Sequence, residues 1–197
     1  MDSAPTEQRP APVPDRNGLL PLKILVAGGF GVGKTSLVRA LSEIPPLSTE
    51  AQMTSMSTDV DDAAAVPDKT TTTVAMDFGR LTVDERLVLY LFGTPGQSRF
   101  WFMWDELAGG AVGAVVLVDL RRVDDSFAAI DYFENRGLPF VVAINGFPGT
   151  DGFDDPTVRD ALVVPPGCPL VRVDARRGES CTAALVALVE HALSRSV

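Results

Sequence analysis

An apolar run, Leu22-Lys23-Ile24-Leu25-Val26-Ala27, leads straight into Gly28-Gly29-Phe30-Gly31-Val32-Gly33-Lys34-Thr35 and then into the helical pattern Ser36-Leu37-Val38-Arg39-Ala40-Leu41. Strand, glycine-rich turn and helix in that order are the context in which G-x-x-x-x-G-K-T folds into a phosphate-binding loop. Glycines let the backbone curl so that successive N–H groups point inward at an anion. The start of the following helix adds unpaired donors and a partial positive charge. Gly29, Phe30, Gly31, Val32, Gly33 and Ser36 are the candidate phosphate contacts. Lys34 would reach the β- and γ-phosphates of a nucleoside triphosphate, and the Thr35 hydroxyl would ligate Mg²⁺.

The 197 residues suit one domain with a full core. A net charge of −9 argues against nucleic acid and against an anionic membrane face, since both need clustered Lys and Arg. Cys168 and Cys181 carry no metal-site or disulfide spacing and fit a reduced compartment. No apolar run reaches transmembrane length, Met1-Asp2-Ser3 reads as neither signal nor myristoylation site, and Ser194 to Val197 offers no prenylatable cysteine. A cytoplasmic chain that reaches a membrane only through partners is the expectation.

Residues 1–20, with Pro5, Pro10, Pro12 and Pro14, read as a disordered arm, and 21–197 as one domain. Val74 to Val83 and Leu87 to Phe92 read as two strands joined at Asp84-Glu85. Ala114 to Asp119, Pro139 to Asn145 and Pro169 to Asp174 read as further strands, the first two apolar enough for a sheet covered on both faces. Helices are expected around Ser126–Arg136, Pro156–Leu162 and Cys181–Ser194. The alternation implies a doubly wound α/β sheet with ligand loops at the strand C-termini. Pro45 to Thr73 has no strong period and reads as a long functional or disordered loop. Phe100-Trp101-Phe102-Met103-Trp104 is either core packing or a docking surface whose exposure follows the bound nucleotide.

Together the motifs resemble the Ras-like small GTPases, and more closely the bacterial branch found in conservon operons, the CvnD type, related to the polarity GTPase MglA. The resemblance covers about residue 20 to the C-terminus. Its anchors are the phosphate loop and Phe92-Gly93-Thr94-Pro95-Gly96-Gln97, where the wider family reads D-x-x-G-Q. It implies a P-loop NTPase with a Ras-like, doubly wound, mostly parallel six-stranded sheet and one antiparallel edge strand. It also implies GTP or GDP as ligand, a Gly96 N–H on the γ-phosphate, and Gln97 as the catalytic residue that orients the attacking water.

The departures from that pattern are specific. Gly93 stands where the family has an Asp that holds a Mg²⁺-bound water, which leaves Thr35 and phosphate oxygens as the main ligands. Asp119, at the end of a strand, is a weaker candidate for that role. Thr73, counted back from Asp77-Phe78, is the match for the family's Mg²⁺-capping switch threonine, with Thr72 next. Phe30 replaces a glycine common in relatives. It either crowds the γ-phosphate, slowing hydrolysis, or points outward.

Of the guanine-reading N-K-x-D only Asn145 remains, which in the family ties loops together. Phe147 offers a ring to the base, and Asp151, Asp154 or Asp155 are candidates for the lost carboxylate. Asp174-Ala175-Arg176 resembles the family's S-A-K, whose Ala N–H meets guanine O6. Guanine is expected over adenine, with relaxed discrimination.

The resulting expectation is a GTP/GDP signalling switch with weak, partner-stimulated hydrolysis. The resemblance implies roadblock-type and sensor-kinase-like protein partners. A nucleotide-bound scaffold without hydrolysis and a P-loop ATPase or phosphotransferase are the alternatives. Arg121-Arg122 and Arg176-Arg177 are isolated pairs and make a poor basic lid for the last of these.

Overall fold

Strands that are apolar on both faces need helices on both faces. In the computed structural model of the protein, β1 (Leu20–Ala27), β5 (Ala111–Val118) and β6 (Phe140–Asn145) are of that kind and form the middle of the sheet. The structure describes residue 14 and residues 18–45, 47–54, 71–96, 100, 102–150 and 152–195. With β2 (Leu47–Thr54), β3 (Thr71–Thr82), β4 (Leu87–Gly93) and β7 (Leu170–Val173), seven strands run in the order β2-β3-β4-β1-β5-β6-β7. β1 pairs in parallel with β4 and β5, and β5-β6-β7 continue in parallel, whereas β3 is antiparallel to both β4 and β2.

Alternate residues of each central strand feed opposite layers. Ile24 and Val26 pack with Leu37, Val38 and Leu41 of α1 (Lys34–Leu41) and with Cys181, Ala184, Leu185 and Leu188 of α5 (Gly178–Ser194). Leu25 and Ala27 pack on the other face, in the cluster that includes Trp104, Phe133 and Val158. Those three come from α2 (Phe102–Ala108), α3 (Asp124–Asn135) and α4 (Asp155–Ala161). The chain leaves β1 on the β4 side and crosses from β4 to β5 on the other side. The crevice at the C-terminal end of β1 is therefore the topological switch point where such sheets bind ligands, and the glycine-rich loop opens there.

The doubly wound α/β architecture and the six expected strands are present, and the Asp84 turn closes the β3–β4 hairpin by accepting from the Arg86 and Leu87 amides at 2.7 and 2.9 Å. Two corrections concern what surrounds them. The aperiodic stretch 45–73 contains β2, which pairs with β3 along its whole length, so the antiparallel strand is second from the edge. Its Ser, Thr and Glu content hid a strand whose pairing partner lies elsewhere in the sequence. The 100–104 run opens α2 and turns inward: Met103 is buried and Trp104 is 3% exposed, while Phe102 stays 52% exposed. Trp104 stacks on Phe133 (centroids 5.8 Å apart) and meets Tyr132 edge-on (5.2 Å), so this part of the run is core. Trp101 and nearly all of the arm 1–20 lie outside the described residues.

Trp104→Ala should therefore destabilise the fold by about 3–5 kcal/mol, the usual cost of emptying a buried aromatic site. Phe102→Ala should stay within about 0.5 kcal/mol. Urea unfolding of the two variants checks the contrast.

Candidate nucleotide site

The loop between β1 and α1 is held by close backbone approaches. A Cβ on Gly28 would lie 2.3 Å from the Leu117 carbonyl oxygen of β5, and one on Gly33 would lie 2.7 Å from Asn145 Nδ2. Gly31 and Gly33 have φ of 74° and 109°, left-handed values that glycine alone adopts without strain. Lys34 folds back over the loop, its Nζ donating to the Gly28 and Gly29 carbonyls at 2.9 and 2.7 Å. Burial pushes its ammonium down to about 8, against an opposing pull from the Asp77 carboxylate.

Asp77 is the residue that sequence reasoning missed. The Thr35 hydroxyl donates to Asp77 Oδ2 at 2.6 Å, across from the middle of β3. A Cβ on Gly93 would lie 3.1 Å from Asp77 Cβ and 3.2 Å from Oδ2. The glycine thus makes room for a carboxylate delivered by the neighbouring strand. This corrects the expectation that Gly93 leaves the corner without one. The signal for it in the sequence is an Asp within the apolar run Val74–Phe78. Thr35 and Asp77 are hard oxygen donors of the kind that suits Mg²⁺, and the buried Thr94 hydroxyl nearby in sequence has no partner among the described residues. Asp119 is occupied otherwise: Arg121 grips it with two side-chain bonds of 2.9 and 2.7 Å, which hold its carboxyl below the usual range. The side chain of Thr73 and the whole of Gln97 lie outside the described residues.

Gly96 lies directly on the loop. A Cβ there would come within 2.6 Å of Lys34 Nζ and 3.0 Å of the Phe30 nitrogen. The preceding Pro95 carbonyl accepts from the Trp104 indole N–H at 3.3 Å, which ties this segment to the core of α2. Phe30 is 66% exposed, the outward of its two expected orientations.

On the far side, the buried Asn145 side chain donates to the Val32 carbonyl at 2.9 Å and accepts the Ala175 N–H at 3.0 Å. It ties the phosphate loop to the loop after β7, as the resemblance implies. It also takes the Ala175 N–H that the resemblance assigns to guanine O6. The Arg121 guanidinium lies 3.9 Å from the centroid of Phe147 and covers one face of that ring. Asp174 is held by Arg176 through two bonds of 2.8 and 2.9 Å, and this guanidinium brings its carboxyl down to about 2. Asp154 caps α4 by accepting from the Thr157 amide, and Asp155 pairs with Arg172 at 2.9 Å. Both proposed stand-ins for the guanine-reading carboxylate are thus engaged, and Asp151 is not among the described residues. An open depression of about 780 Å³ around Arg159, Val163 and Cys168 lies between α4 and β7, and its lining includes no residue of the phosphate loop.

Residues 26–195 match the family described as conserved hypothetical ATP-binding protein. The chain belongs to that family. It is also 30% identical over 126 residues to an uncharacterized protein of Methanocaldococcus jannaschii, an alignment spanning 63% of this chain and 69% of the relative. Among solved structures it is similar to the cytosolic domain of the T. maritima FeoB iron transporter in apo form. The TM-score is 0.62 at 19% identity, covering 87% of this chain, which spans 64% of the FeoB one. The isolated G domain of that FeoB matches with TM-score 0.61 and 20% identity, covering 87% of this chain and 99% of the other. The cytosolic domain of L. pneumophila FeoB matches with TM-score 0.60 and 17% identity, covering 86% and 69%. At such identities the likeness concerns the fold alone, the doubly wound, mostly parallel α/β sheet that this chain shares with the FeoB G domain. Among the described residues no helix is long and apolar enough to cross a membrane.

The half-buried Lys34 gives the site a pH signature. Its folded value of about 8 lies below its ordinary 10.5, so the unfolded chain binds more protons between the two and stability rises with pH across that window. A phosphate placed against the ammonium restores the charge. Nucleotide binding within that window should therefore take up a proton, read as a buffer-dependent heat in titration calorimetry, and Lys34→Met should abolish it.

Proposed function

We propose that the protein is a nucleotide-controlled switch that binds GTP and GDP with Mg²⁺ and hydrolyses GTP slowly. The observation that carries this reading is the seat of Gly96 on Lys34 and on the Phe30 nitrogen. A γ-phosphate held by the loop occupies the space over Lys34, so it must lift or re-aim the Thr94–Gly96 segment. The Pro95–Trp104 hydrogen bond passes that displacement to α2. A diphosphate leaves the segment closer to its present place. Two shapes of one segment, selected by one phosphate, make a switch.

Thr35 and Asp77 are the residues that would hold Mg²⁺, whose role is to neutralise phosphate charge. Asp77→Asn should lower Mg²⁺ affinity in the nucleotide complex about 10–100-fold, as loss of a metal-orienting carboxylate does. A Mg²⁺ titration followed by nucleotide release measures it.

Guanine is the base favoured by the G-domain fold together with Asn145 in its loop-tying place. Adenine is the second reading. The engaged Ala175 N–H, the engaged Asp154 and Asp155, and the family's description favour it. Direct competition between GTP and ATP for the purified chain, together with the nucleotide that co-purifies, decides between them. At least tenfold preference for GTP is expected, and equal or tighter ATP binding overturns the guanine assignment.

In this reading Gln97 orients the hydrolytic water. A protein regulator supplies what the isolated chain lacks, and roadblock-type and sensor-kinase-like partners of the conservon type recruit it to a membrane. Gln97→Leu should remove most of the partner-stimulated phosphate release and little of the basal rate. Proportionate losses in both conditions would mean that Gln97 works unaided.

A further inference from the structure

The turn between β5 and α3 reaches across to the phosphate loop. Arg122 Nη2 donates to the Phe30 carbonyl oxygen at 2.6 Å, linking residues 92 positions apart. The guanidinium is itself held from behind, with Nη1 3.5 Å from Asp125 Oδ2 and Nε 3.9 Å from Asp119 Oδ2. Asp125 presses on the same stretch: a Cβ on Gly29 would lie 2.6 Å from Asp125 Cβ. Arg122 in this turn and Asp125 in the first turn of α3 therefore brace the outer side of residues 29–31.

We propose that Arg122 is a positioning residue that fixes the orientation of the Phe30–Gly31 peptide and so aims the Gly31 N–H at a bound phosphate. In a trans peptide the carbonyl of one residue and the N–H of the next are coplanar and point in opposite directions. Tying the Phe30 oxygen outward to Arg122 therefore turns the Gly31 N–H inward, where no acceptor among the described residues takes it. The tie is needed at this place. Gly31, at φ 74°, has no Cβ to resist rotation of the peptide plane, and the exposed Phe30 ring supplies no packing to hold it. A flipped peptide would present a carbonyl oxygen to the phosphate instead of a donor, turning an attraction into a repulsion. Asp119 is the deep anchor of the brace: it is 2% exposed and sits between Arg121 and Arg122.

This inference rests on the nucleotide-binding reading, and the experiment separates the two. GDP and GTP affinities and the Gly31 amide resonance are measured for the wild type, for Arg122→Met, which keeps the aliphatic stem, and for Arg122→Lys, which keeps one donor. The wild type should bind, with its Gly31 amide proton moving downfield as it meets a charged oxygen. Arg122→Met should lose about tenfold or more in affinity, the order of one hydrogen bond to a charged group, and its Gly31 signal should stay near the free position. Arg122→Lys should restore part of both. If affinity falls while the Gly31 signal still moves, Arg122 acts by charge and the positioning role is overturned. If neither changes, it is likewise overturned, with nucleotide binding intact. A wild type that binds no nucleotide overturns the functional reading and this inference with it. Should Arg122→Met fail to fold, Asp125→Asn loosens the brace and should shift both readouts in the same direction by less. No shift in that variant also overturns the proposal.

Discussion

The side-chain amide of Asn145 joins two loops that lie far apart in the sequence. It gives a hydrogen to the loop after β1 and takes one from the loop after β7, and it does so while buried. A buried amide left half-satisfied is costly, on the order of 1–3 kcal/mol for each lost partner, so the two loops are fixed together or not at all. Gly33 is shaped to this contact, since any side chain there would collide with the Asn145 nitrogen. The wall of the crevice opposite α3 follows from that arrangement, as does the angle at which α1 begins. The same contact bears on specificity, because the hydrogen that Asn145 takes from Ala175 is withdrawn from whatever base enters.

The phosphate loop was legible because its determinants are local. Eight consecutive residues, a strand before and a helix after specify it with no help from the rest of the chain. The strand-helix alternation was legible for a similar reason: both faces of β5 and β6 are written into uninterrupted apolar runs. What the sequence hid is what depends on contacts across the sheet. Asp77 meets Thr35 over 42 positions, and its importance shows only when β3 is laid beside β4 with Gly93 opposite. Within Thr71–Thr82 its only mark is that an Asp interrupts the apolar run Val74–Phe78, and that alone does not place it beside Thr35. β2 was missed because Leu47–Thr54 carries no regular apolar alternation in the sequence, and its pairing partner β3 lies well downstream. The Phe100-Trp101-Phe102-Met103-Trp104 run was ambiguous because five bulky residues fit either period, and the Phe133 ring beneath Trp104 settles which way Trp104 faces.

Charge around the crevice is arranged by pairing more than by number. Three arginines of the loops near the site are matched to carboxylates: Arg121 and Arg122 to Asp119, Arg176 to Asp174. The exposed pairs contribute little to stability because water screens them. Their use is geometric, since a guanidinium held in a fork is a rigid object that can cover an aromatic ring, as Arg121 covers Phe147, or reach a backbone oxygen.

That the Asp77 carboxylate comes from β3 also bears on the mechanics of its contact with Thr35. β4 lies beside β1, in the parallel heart of the sheet. β3 is instead half of an antiparallel ribbon whose other neighbour is the edge strand β2. A ribbon of that sort bends and slides more readily than a buried parallel strand, and its outer rim offers unpaired backbone groups to an added strand. The Asp77 oxygen beside Thr35 therefore sits at the fixed end of a cantilever whose free end is the sheet margin. Load applied at that margin is carried to the Thr35–Asp77 contact without passing through the loops on either side.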